Sequence, residues 1–371
     1  MAIVKIKDST ETFFANDADT TYIVSKGVEI DADSNGIGLM DVAKNRVLIV
    51  DGTITSDFNG IDIDDQFAPI GGTKVIIGKS GVVTGDESGV YAEGQGQTII
   101  NSGRITGDEA GVLSDGTNTI VNNGKIHGET YGIQLHEGTG DGLTVVTNRG
   151  TISGGEYAII GSSEYEKVIN TGKIIGNVDL GDSDDIFVFK SGSVSGSVAG
   201  GFGDDTYYVN KAGLTISEDF AEGIDRVYAS VSIEMSANVE TLYLTGKKNL
   251  EATGGTGGNW IYGNSGANRI DGAGGMDYID GGRGNDVLTG GSSSDDFHFG
   301  RGTGKDVVTD YEAGFDEIQL GDLKGATDYA NMIDKHLQQK GDDLWITYGH
   351  DVVVLKDTLV ADLKASDFYF G

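Results

Sequence analysis

The sequence predicts an all-β fold made of parallel β-solenoids, in which successive coils of the chain stack along one axis. Two internal repeats carry this prediction, one of about 20 to 22 residues within residues 47–199 and one of nine residues that begins at Gly254. The composition agrees, because the 371 residues include 61 glycines and only 1 proline, which favours tight repeated turns over a disordered tail. We therefore expect a three-faced parallel β-helix that continues into a second solenoid of shorter period, followed by a small C-terminal α+β cap.

The longer repeat is anchored by a glycine that is followed two residues later by Ile or Val. The anchors recur at steps of 29, 22, 21, 26, 22 and 20 residues, which is the length of one β-helix coil with three short strands and three turns. An Asn precedes four of the anchors by two residues. The anchors are Gly52, Gly81, Gly103, Gly124, Gly150, Gly172 and Gly192, and the asparagines are Asn101, Asn122, Asn148 and Asn170.

Stacking these units places Ile or Val in the core and the asparagines at one turn, where their amides can form a ladder along the axis. Residues 47–199 are therefore predicted to form a parallel β-helix of six or seven coils, with long loops at residues 57–72 and 138–143. Residues 1–46 contain short apolar runs such as IVKI and TYIV, which we interpret as strands that cap the helix. The alternative is an antiparallel sandwich, but sandwiches do not repeat Gly and Asn at a fixed phase.

The shorter repeat consists of five consecutive nine-residue units. Glycines crowd the first four positions, which suits tight turns with positive φ, and the eighth position is always a large apolar residue. If successive units lie on opposite faces, two units make one coil of eighteen residues, so Asn259, Asp277 and Asp295 share one edge. The sixth position always offers an oxygen, at Asn259, Asn268, Asp277, Asp286 and Asp295.

Columns of carboxylates at the spacing of β-strands repel one another, so we expect a cation between them. Ca²⁺ fits because it accepts irregular shells made only of carboxylate and carbonyl oxygens. These residues resemble the RTX (repeats-in-toxin) family, whose nonapeptide G-G-x-G-x-D-x-U-x binds Ca²⁺ in a parallel β-roll, and Gly281–Thr289 matches it at every position. The resemblance implies a Ca²⁺-binding β-roll at residues 254–310, with weaker or absent sites at the two Asn units. The alternative is a flexible Gly-rich linker.

The segments on either side of the array extend the same pattern. Upstream, LGDSDDIFVF and GGFGDDTYYV align at an offset of twenty residues, so Ca²⁺ binding is predicted to begin at the end of the β-helix. Residues 200–253 are predicted to add further strands, and residues 216–259 resemble a segment often found before RTX arrays. Downstream, Asp306, Asp310 and Asp316 lie in what resemble closing turns; Asp306 is a candidate ligand, with a solvated loop carboxylate as the alternative. The predicted metal ligands are Asp185, Asp205, Asn259, Asn268, Asp277, Asp286, Asp295 and Asp306.

Residues 311–371 are predicted to form a C-terminal cap and a secretion signal. Residues 325–340 have helical periodicity, and two strands are expected in the segments LWITYG and VVVLKD. The chain ends in VADLKASDFYFG, where an acidic residue is followed by aromatics. This ending is similar to the type I secretion signals of RTX proteases and alginate epimerases. The resemblance implies export through a type I secretion apparatus and a secreted, extracellular or cell-surface location.

The chain is strongly acidic, with 26 basic and 58 acidic residues and a formal net charge of −32. Such a chain repels nucleic acid and anionic membranes, so neither is an expected partner, and no stretch approaches the length of a membrane span. The absence of cysteine excludes disulfides, thiol catalysis and thiolate metal sites. Bound Ca²⁺ can serve as a staple in place of disulfides.

Right-handed β-helices often carry enzymes that act on acidic polysaccharides, so an active site has to be considered. The segment YGIQLHEG, residues 131–138, resembles the Y-G-F-D-P-H-E motif of alginate epimerases, with His136 in place. Gln134 replaces the Asp of that motif, which removes a carboxylate on which the family's chemistry depends. A second cluster, Asp62, Asp64 and Asp65, can act as acid and base or bind another Ca²⁺, although a solvated turn is the more common outcome.

These observations favour an extracellular Ca²⁺-binding protein that folds on Ca²⁺ after export, because low cytosolic Ca²⁺ leaves the acidic repeats unfolded. Our first interpretation is a structural, S-layer-like or adhesive component of the cell surface, since the whole length of the chain is predicted to form a structural scaffold. Its expected partners are cell-surface polysaccharide or lipopolysaccharide and other copies of the chain. The alternative is an epimerase- or lyase-like enzyme on the β-helix, with His136, Asp62 and Asp64 as its weak candidates.

Overall fold

The computed structural model describes residues 2–40, 45–64, 72–137, 142–321, 325 and 327–370. The chain divides into two compact units, one formed by residues 1–205 and 213–217 and the other by residues 206–212 and 218–371. Strands dominate both units, so the predicted all-β class is confirmed. Among the described residues, no helix combines the length and the apolar character needed to cross a bilayer.

The first unit is a parallel β-solenoid in which each full coil contributes one strand to each of three faces. Equivalent strands of neighbouring coils pair in parallel and in register, as Asn101 does with Asn122 and Gly107 with Gly128. The core is closed by aliphatic side chains, and Ile105 and Ile126 on one face are fully buried. The predicted three-faced β-helix is therefore confirmed.

Each face is a stack of short strands. Face 1 contains Ala2–Ile6, Thr20–Val24, Val47–Val50, Lys74–Ile77, Thr98–Asn101, Thr119–Asn122, Leu143–Asn148, Tyr165–Asn170 and Ile186–Phe189. Face 2 contains Glu29–Ala32, Thr53–Ser56, Val82–Gly85, Arg104–Gly107, Lys125–Gly128 and Ser193–Val194. Face 3 contains Phe13–Phe14, Ile37–Met40, Ile61–Asp64, Ser88–Glu93, Ala110–Asp115, Tyr131–His136, Ser197–Phe202 and Thr215–Ile216. Two long strands, Thr151–Ser162 and Lys173–Asp182, bend from face 2 into face 3.

Residues 2–40 form coils of this solenoid, whereas the sequence predicts strands that cap it at residues 1–46. Thr20–Val24 pairs in parallel with Val47–Val50, and Glu29–Ala32 pairs with Thr53–Ser56. Their inward side chains, such as Val24 and Ile30, are buried like those of later coils. Sequence reasoning separated this segment because it lacks the Gly-x-Ile anchor, yet alternating burial is sufficient to form a coil.

Four asparagines form the predicted amide ladder at the turn between faces 1 and 2. The Nδ2 of Asn101 donates to the Oδ1 of Asn122 at 2.8 Å, and the same bond joins Asn122 to Asn148 and Asn148 to Asn170 at 2.9 Å. Each Nδ2 also donates to a main-chain carbonyl of the next coil. All four side chains are fully buried. The ladder needs no bound ion to satisfy its polar groups, because each amide carries both hydrogen-bond donors and an acceptor.

The second unit contains two stacks of short parallel strands. The first holds Thr206–Val209, Arg226–Ala229, Thr241–Leu244, Trp260–Tyr262, Tyr278–Asp280, Asp296–His298, Glu317–Gln319 and Phe368–Tyr369. The second holds Ile233–Glu234, Glu251–Thr253, Arg269–Asp271, Val287–Thr289, Lys305–Val308 and Asp351–Leu355. Within the repeats, each strand pairs with the strand eighteen residues on, as Ile261 does with Ile279. The predicted β-roll is confirmed, and its eighth-position residues are fully buried.

A row of tyrosines stacks on the outer surface of the first of these sheets. The rings of Tyr208, Tyr228, Tyr243 and Tyr262 follow one another at centroid distances of 5.1, 4.9 and 4.8 Å, with interplanar angles of 14°, 11° and 7°. The distances match the spacing of neighbouring strands, because the four residues occupy one register position. Each stacked pair adds to the stability of the sheet beyond its buried area.

The C-terminal helix is shorter than the sequence predicted. It covers Tyr329–Lys335, whereas Leu337–Lys340 is a strand that pairs antiparallel with Asp343–Tyr348. The hairpin turn includes Gly341 at a φ of +67°, a conformation that favours glycine and lets the chain reverse. The two predicted strands are confirmed as Asp343–Tyr348 and Asp351–Leu355, which are antiparallel to each other. Two 3₁₀ turns follow, Val360–Asp362 and Ala365–Asp367.

Candidate metal centre

The sixth residues of the nonapeptide units form two columns, one at each edge of the roll. On one edge, the Oδ1 of Asp277 accepts the main-chain N–H of Asn259 at 2.7 Å, and the Oδ1 of Asp295 accepts that of Asp277 at 2.9 Å. On the other edge, Asp286 accepts from Asn268 at 2.6 Å, and Asp306 accepts from Asp286 at 2.9 Å. The predicted stacking of alternate units is confirmed. Asp306 closes the second column and is not a solvated loop residue, since it is 1% exposed.

Two of these carboxylates have an oxygen that no hydrogen bond satisfies. Asp277 and Asp286 are 2% and 1% exposed, and the Oδ2 of each is buried with no hydrogen-bond partner. This oxygen folds back over the first glycine of its own unit, because a Cβ at Gly281 would lie 2.8 Å from the Oδ2 of Asp286. A buried charge without a partner carries a large desolvation cost. A cation at the turn would offset that cost, so the residues present fit Ca²⁺.

Burial also raises the pKa of these carboxyl groups. The pKa reaches about 7 for Asp277 and Asp306 and about 6 for Asp286 and Asp295, with desolvation as the main cause. Hydrogen bonds from main-chain N–H groups act in the opposite direction but do not cancel it. In the absence of a cation, the carboxyl groups therefore keep their protons to a higher pH than an ordinary aspartate does, whereas a dication would favour the ionised form.

The main chain of the three Asp units adopts one common turn. Positions two and four have positive φ, +79° at Gly282 and +144° at Gly284 in the unit of Asp286. A Cβ at Gly282 or Gly284 would collide with a carbonyl oxygen of the neighbouring coil. Main-chain carbonyl oxygens therefore lie close to these turns, beside the carboxylates, and this is the mixed oxygen set that Ca²⁺ accepts. The other two units repeat the positive φ at Ala273, Gly275, Gly291 and Ser293.

The two Asn units differ from the Asp units in their turn conformation and in the hydrogen bonding of their sixth side chain. None of residues 254–268 has a positive φ. The Nδ2 of Asn259 donates to the carbonyl of Val239 at 2.8 Å, and its Oδ1 accepts from the N–H of Gly255 at 2.8 Å. Asn268 likewise exchanges two hydrogen bonds with Asn264. Both side chains satisfy themselves without a cation, which agrees with the expectation of weaker or absent sites at these units.

The first unit contains the same turn twice. The φ values are +102° at Gly181 and +84° at Ser183, and Gly201 and Gly203 repeat the pattern at +96° and +137°. The Oδ1 of Asp205, the residue that ends the second turn, accepts the main-chain N–H of Asp185 at 2.7 Å. Asp185 and Asp205 therefore occupy the position that the Asp residues hold in the repeats.

Glu166 continues this column, and sequence reasoning missed it. The Oδ1 of Asp185 accepts the main-chain N–H of Glu166 at 2.7 Å. The Oε2 of Glu166 and the Oδ2 of Asp185 are buried with no hydrogen-bond partner, and burial raises the pKa of both groups. The coil register could have identified Glu166, because Lys167 pairs with Ile186 and the residues before them, Glu166 and Asp185, therefore align. Glu166 lacks a Gly-rich turn before it, so no motif marks it.

Asp310 and Asp316, which the sequence placed in closing turns without a role, belong to the carboxylate edge. The Oδ1 of Asp316 accepts the main-chain N–H of Asp295 at 3.0 Å. Asp310 accepts from the N–H groups of Gly290 and Gly291 at 3.0 and 2.9 Å. Within the described ranges, no three His, Asp or Glu side chains converge on a single point. The columns are lines of single carboxylates spaced by one coil.

Of the three weak catalytic candidates, Asp62 and Asp64 lie two residues apart on one strand, whereas His136 lies apart from them. Asp64 and His136 occupy one column of face 3, three strand spacings apart, which is roughly 14 Å. His136 is exposed. Asp62 is 7% exposed and accepts a hydrogen bond from Asn35, and burial raises its pKa to about 6. Asp65 lies outside the described residues.

Comparisons with known proteins match parts of the chain. A family model described as "RTX calcium-binding nonapeptide repeat (4 copies)" matches residues 253–288 and 271–305. The chain is similar to the solution structure of the AlgE6R3 subunit from the Azotobacter vinelandii mannuronan C5-epimerase, with 25% identity, a TM-score of 0.31 and coverage of 36% of this chain and 83% of that one. It is also similar to the extracellular lipase LipA from Serratia marcescens, with 18% identity, a TM-score of 0.27 and coverage of 56% of this chain and 40% of that one. No curated protein sequence matches the chain.

Proposed function

Residues 253–305 are RTX calcium-binding nonapeptide repeats, and from this premise we propose that the protein is an extracellular β-solenoid that folds on Ca²⁺ after type I secretion. We further propose a structural, S-layer-like or adhesive role at the cell surface. The observation that supports folding on Ca²⁺ is the pair of buried carboxylate oxygens in Asp277 and Asp286 that have no hydrogen-bond partner. As ionised carboxylates these groups can stack along the roll when a cation offsets their charge.

In this proposal, the difference in Ca²⁺ concentration between the cytosol and the outside of the cell determines where the chain folds. At low cytosolic Ca²⁺ the carboxylates of the repeats repel one another and the segment stays unfolded, which suits passage through a secretion channel. Outside the cell, binding of Ca²⁺ contributes its free energy directly to folding, because the unfolded chain has no preformed site. The repeats thereby fold only after export.

A calcium titration of the purified full-length chain tests this proposal. We expect circular dichroism to show a gain of β-structure as Ca²⁺ is added to chelated protein, and calorimetry to show binding. Mg²⁺ is the control ion, since it demands a near-ideal octahedral shell and is reluctant to lose its water. A β-rich spectrum that is unchanged between chelator and saturating Ca²⁺ would refute the proposal.

The surface role and the export route require separate tests. For the first, we expect the protein in the washed-cell fraction, released by chelator, and ordered assemblies of the purified chain in Ca²⁺ under the electron microscope. A protein found only in the free medium that stays monomeric would contradict a surface role.

The export route is tested with residues 311–371 fused to a reporter, which should direct export of the reporter only in cells that carry a type I apparatus.

A further inference from the structure

Face 2 of the first unit carries a row of basic side chains at the start of its strands. Arg104 pairs in register with Lys125, so the two residues are direct cross-strand neighbours. Lys125 pairs with Thr151, which pairs with Lys173, so the row continues about 10 Å beyond Lys125 at the strand spacing. Arg104, Lys125 and Lys173 are all exposed.

This row is unfavourable for the isolated sheet. Like charges that face each other on neighbouring strands are destabilising. The chain has 58 acidic residues that could neutralise them, yet among the described residues none of the three cations forms an ion pair. In the first three of these coils, acidic residues follow the row only beyond the next three positions of the strand, at Asp108, Glu109, Glu129 and Glu156. The cations are therefore available to an external anion.

The row borders a groove of about 440 Å³ whose other side is polar. Thr106, His127 and Ser153 occupy the next outward position of the same strands, and the Nδ1 of His127 lies 3.0 Å from the Oγ of Ser153. Ile175 ends this second row and is 38% exposed. The groove thus offers a line of cations and, parallel to it, a line of hydroxyl and imidazole groups.

We propose that this groove binds a linear anionic polysaccharide. Its carboxylate or sulfate groups would follow the row of cations, and its hydroxyl groups would hydrogen-bond to the second row. Nucleic acid fits less well, because the residues that line the groove include no Phe, Tyr or Trp on which a base could stack. The inference goes beyond the proposed function, since it assigns a ligand class to a site in the first unit that the calcium repeats do not form.

Binding to matched polymers tests the proposal. The full-length chain at saturating Ca²⁺ would be titrated with dextran sulfate, unsulfated dextran, oligogalacturonate and single-stranded DNA. We expect it to bind dextran sulfate or oligogalacturonate, with affinity that falls as salt is raised, and to show no binding to unsulfated dextran. Equal binding of charged and neutral dextran, or tighter binding of DNA than of either anionic glycan, would overturn the proposal.

A charge-matched pair of variants separates the groove from the overall charge. The triple variant Arg104→Gln, Lys125→Gln, Lys173→Gln should weaken binding of the anionic glycan at least tenfold. The control variant Lys26→Gln, Lys74→Gln, Lys167→Gln removes the same three charges from the first unit outside the groove and should change affinity less than twofold. Circular dichroism checks that both variants fold. Equal losses in the two variants would overturn the proposal, because the general field and not the groove would then control binding.

Discussion

Gln97 and Asn118 in the first unit hold the same corner of a coil as Asp277 in the second, immediately before a strand. The Oδ1 of Asn118 accepts the main-chain N–H of Gln97 at 2.7 Å, just as the Oδ1 of Asp277 accepts that of Asn259. The Nδ2 of Asn118 then donates to the Oγ of Ser114 at 2.9 Å, whereas the Oδ2 of Asp277 has no partner. Exchanging one nitrogen for one oxygen turns a self-sufficient corner into one that requires a cation. Calcium dependence is thus a property of corner chemistry, and the solenoid fold itself does not impose it.

The largest expected effect is a regional response to chelation. Removal of Ca²⁺ should raise amide hydrogen exchange in residues 254–310 by orders of magnitude, because that segment loses the ions between its carboxylates. Residues 98–136, whose corner at Asn118 and ladder at Asn101 and Asn122 are built from amides, should keep their protection. Hydrogen exchange with mass spectrometry, with and without chelator, measures both regions in one sample. Equal deprotection of the two regions would show that the comparison between amide and carboxylate corners is wrong.

The amide ladder should be much more sensitive to substitution than the exposed positions beside it. Asn122→Ala removes a buried side chain that makes hydrogen bonds to both neighbouring coils, so we expect a loss of about 3 kcal/mol in unfolding free energy. Urea denaturation measures the loss. Asn123→Ala, at the adjacent exposed position, should cost less than about 0.5 kcal/mol. A loss at Asn122 that disappears in chelator would contradict a calcium-independent ladder.

Asp286→Asn converts a carboxylate corner of the repeats into an amide corner. We expect the Ca²⁺ concentration at the folding midpoint to rise about tenfold, which corresponds to about 1.4 kcal/mol. Calorimetry should also show fewer bound ions. Asp362→Asn makes the same charge change at an exposed residue of the C-terminal cap and should leave the midpoint unchanged. If both variants shift it equally, net charge and not the corner sets the affinity.

Acidity should act in opposite directions with and without calcium. The folded pKa values of Asp277 and Asp286, about 7 and about 6, lie above the ordinary value of 3.8. The folded repeats therefore bind protons more tightly than the unfolded chain, so calcium-free protein should gain stability from about pH 8 to about pH 5 and lose it as pH rises through these values.

With calcium present, protons compete with the ion for the same carboxylates. The calcium midpoint should therefore rise a few-fold over the same acidification. Thermal melts with chelator, and calcium titrations at each pH, measure the two effects. A chelated protein that becomes less stable on mild acidification would show that these carboxylates are not the controlling groups.

Periodic features of this molecule could be predicted from sequence, and features that depend on register could not. The amide ladder and the stacking of Asp277 with Asp295 follow from a fixed period, because each coil repeats the phase of the one before. Glu166 was not predicted because its neighbour in the column lies one irregular coil away and only one glycine, Gly161, closely precedes it. The N-terminal coils lack the anchor glycine, and the helix after Tyr329 ends early because hairpin pairing overrides helical periodicity.

The row of stacked tyrosines should give this chain a spectroscopic signal that reports on its folding. Phenol rings held face to face at about the strand spacing couple electronically, so Tyr208, Tyr228, Tyr243 and Tyr262 should produce a strong near-ultraviolet dichroism band when their coils are in register. We expect this band to be lost when the strands separate. Assembly of the second unit can therefore be followed in unlabelled protein, in real time, by light alone.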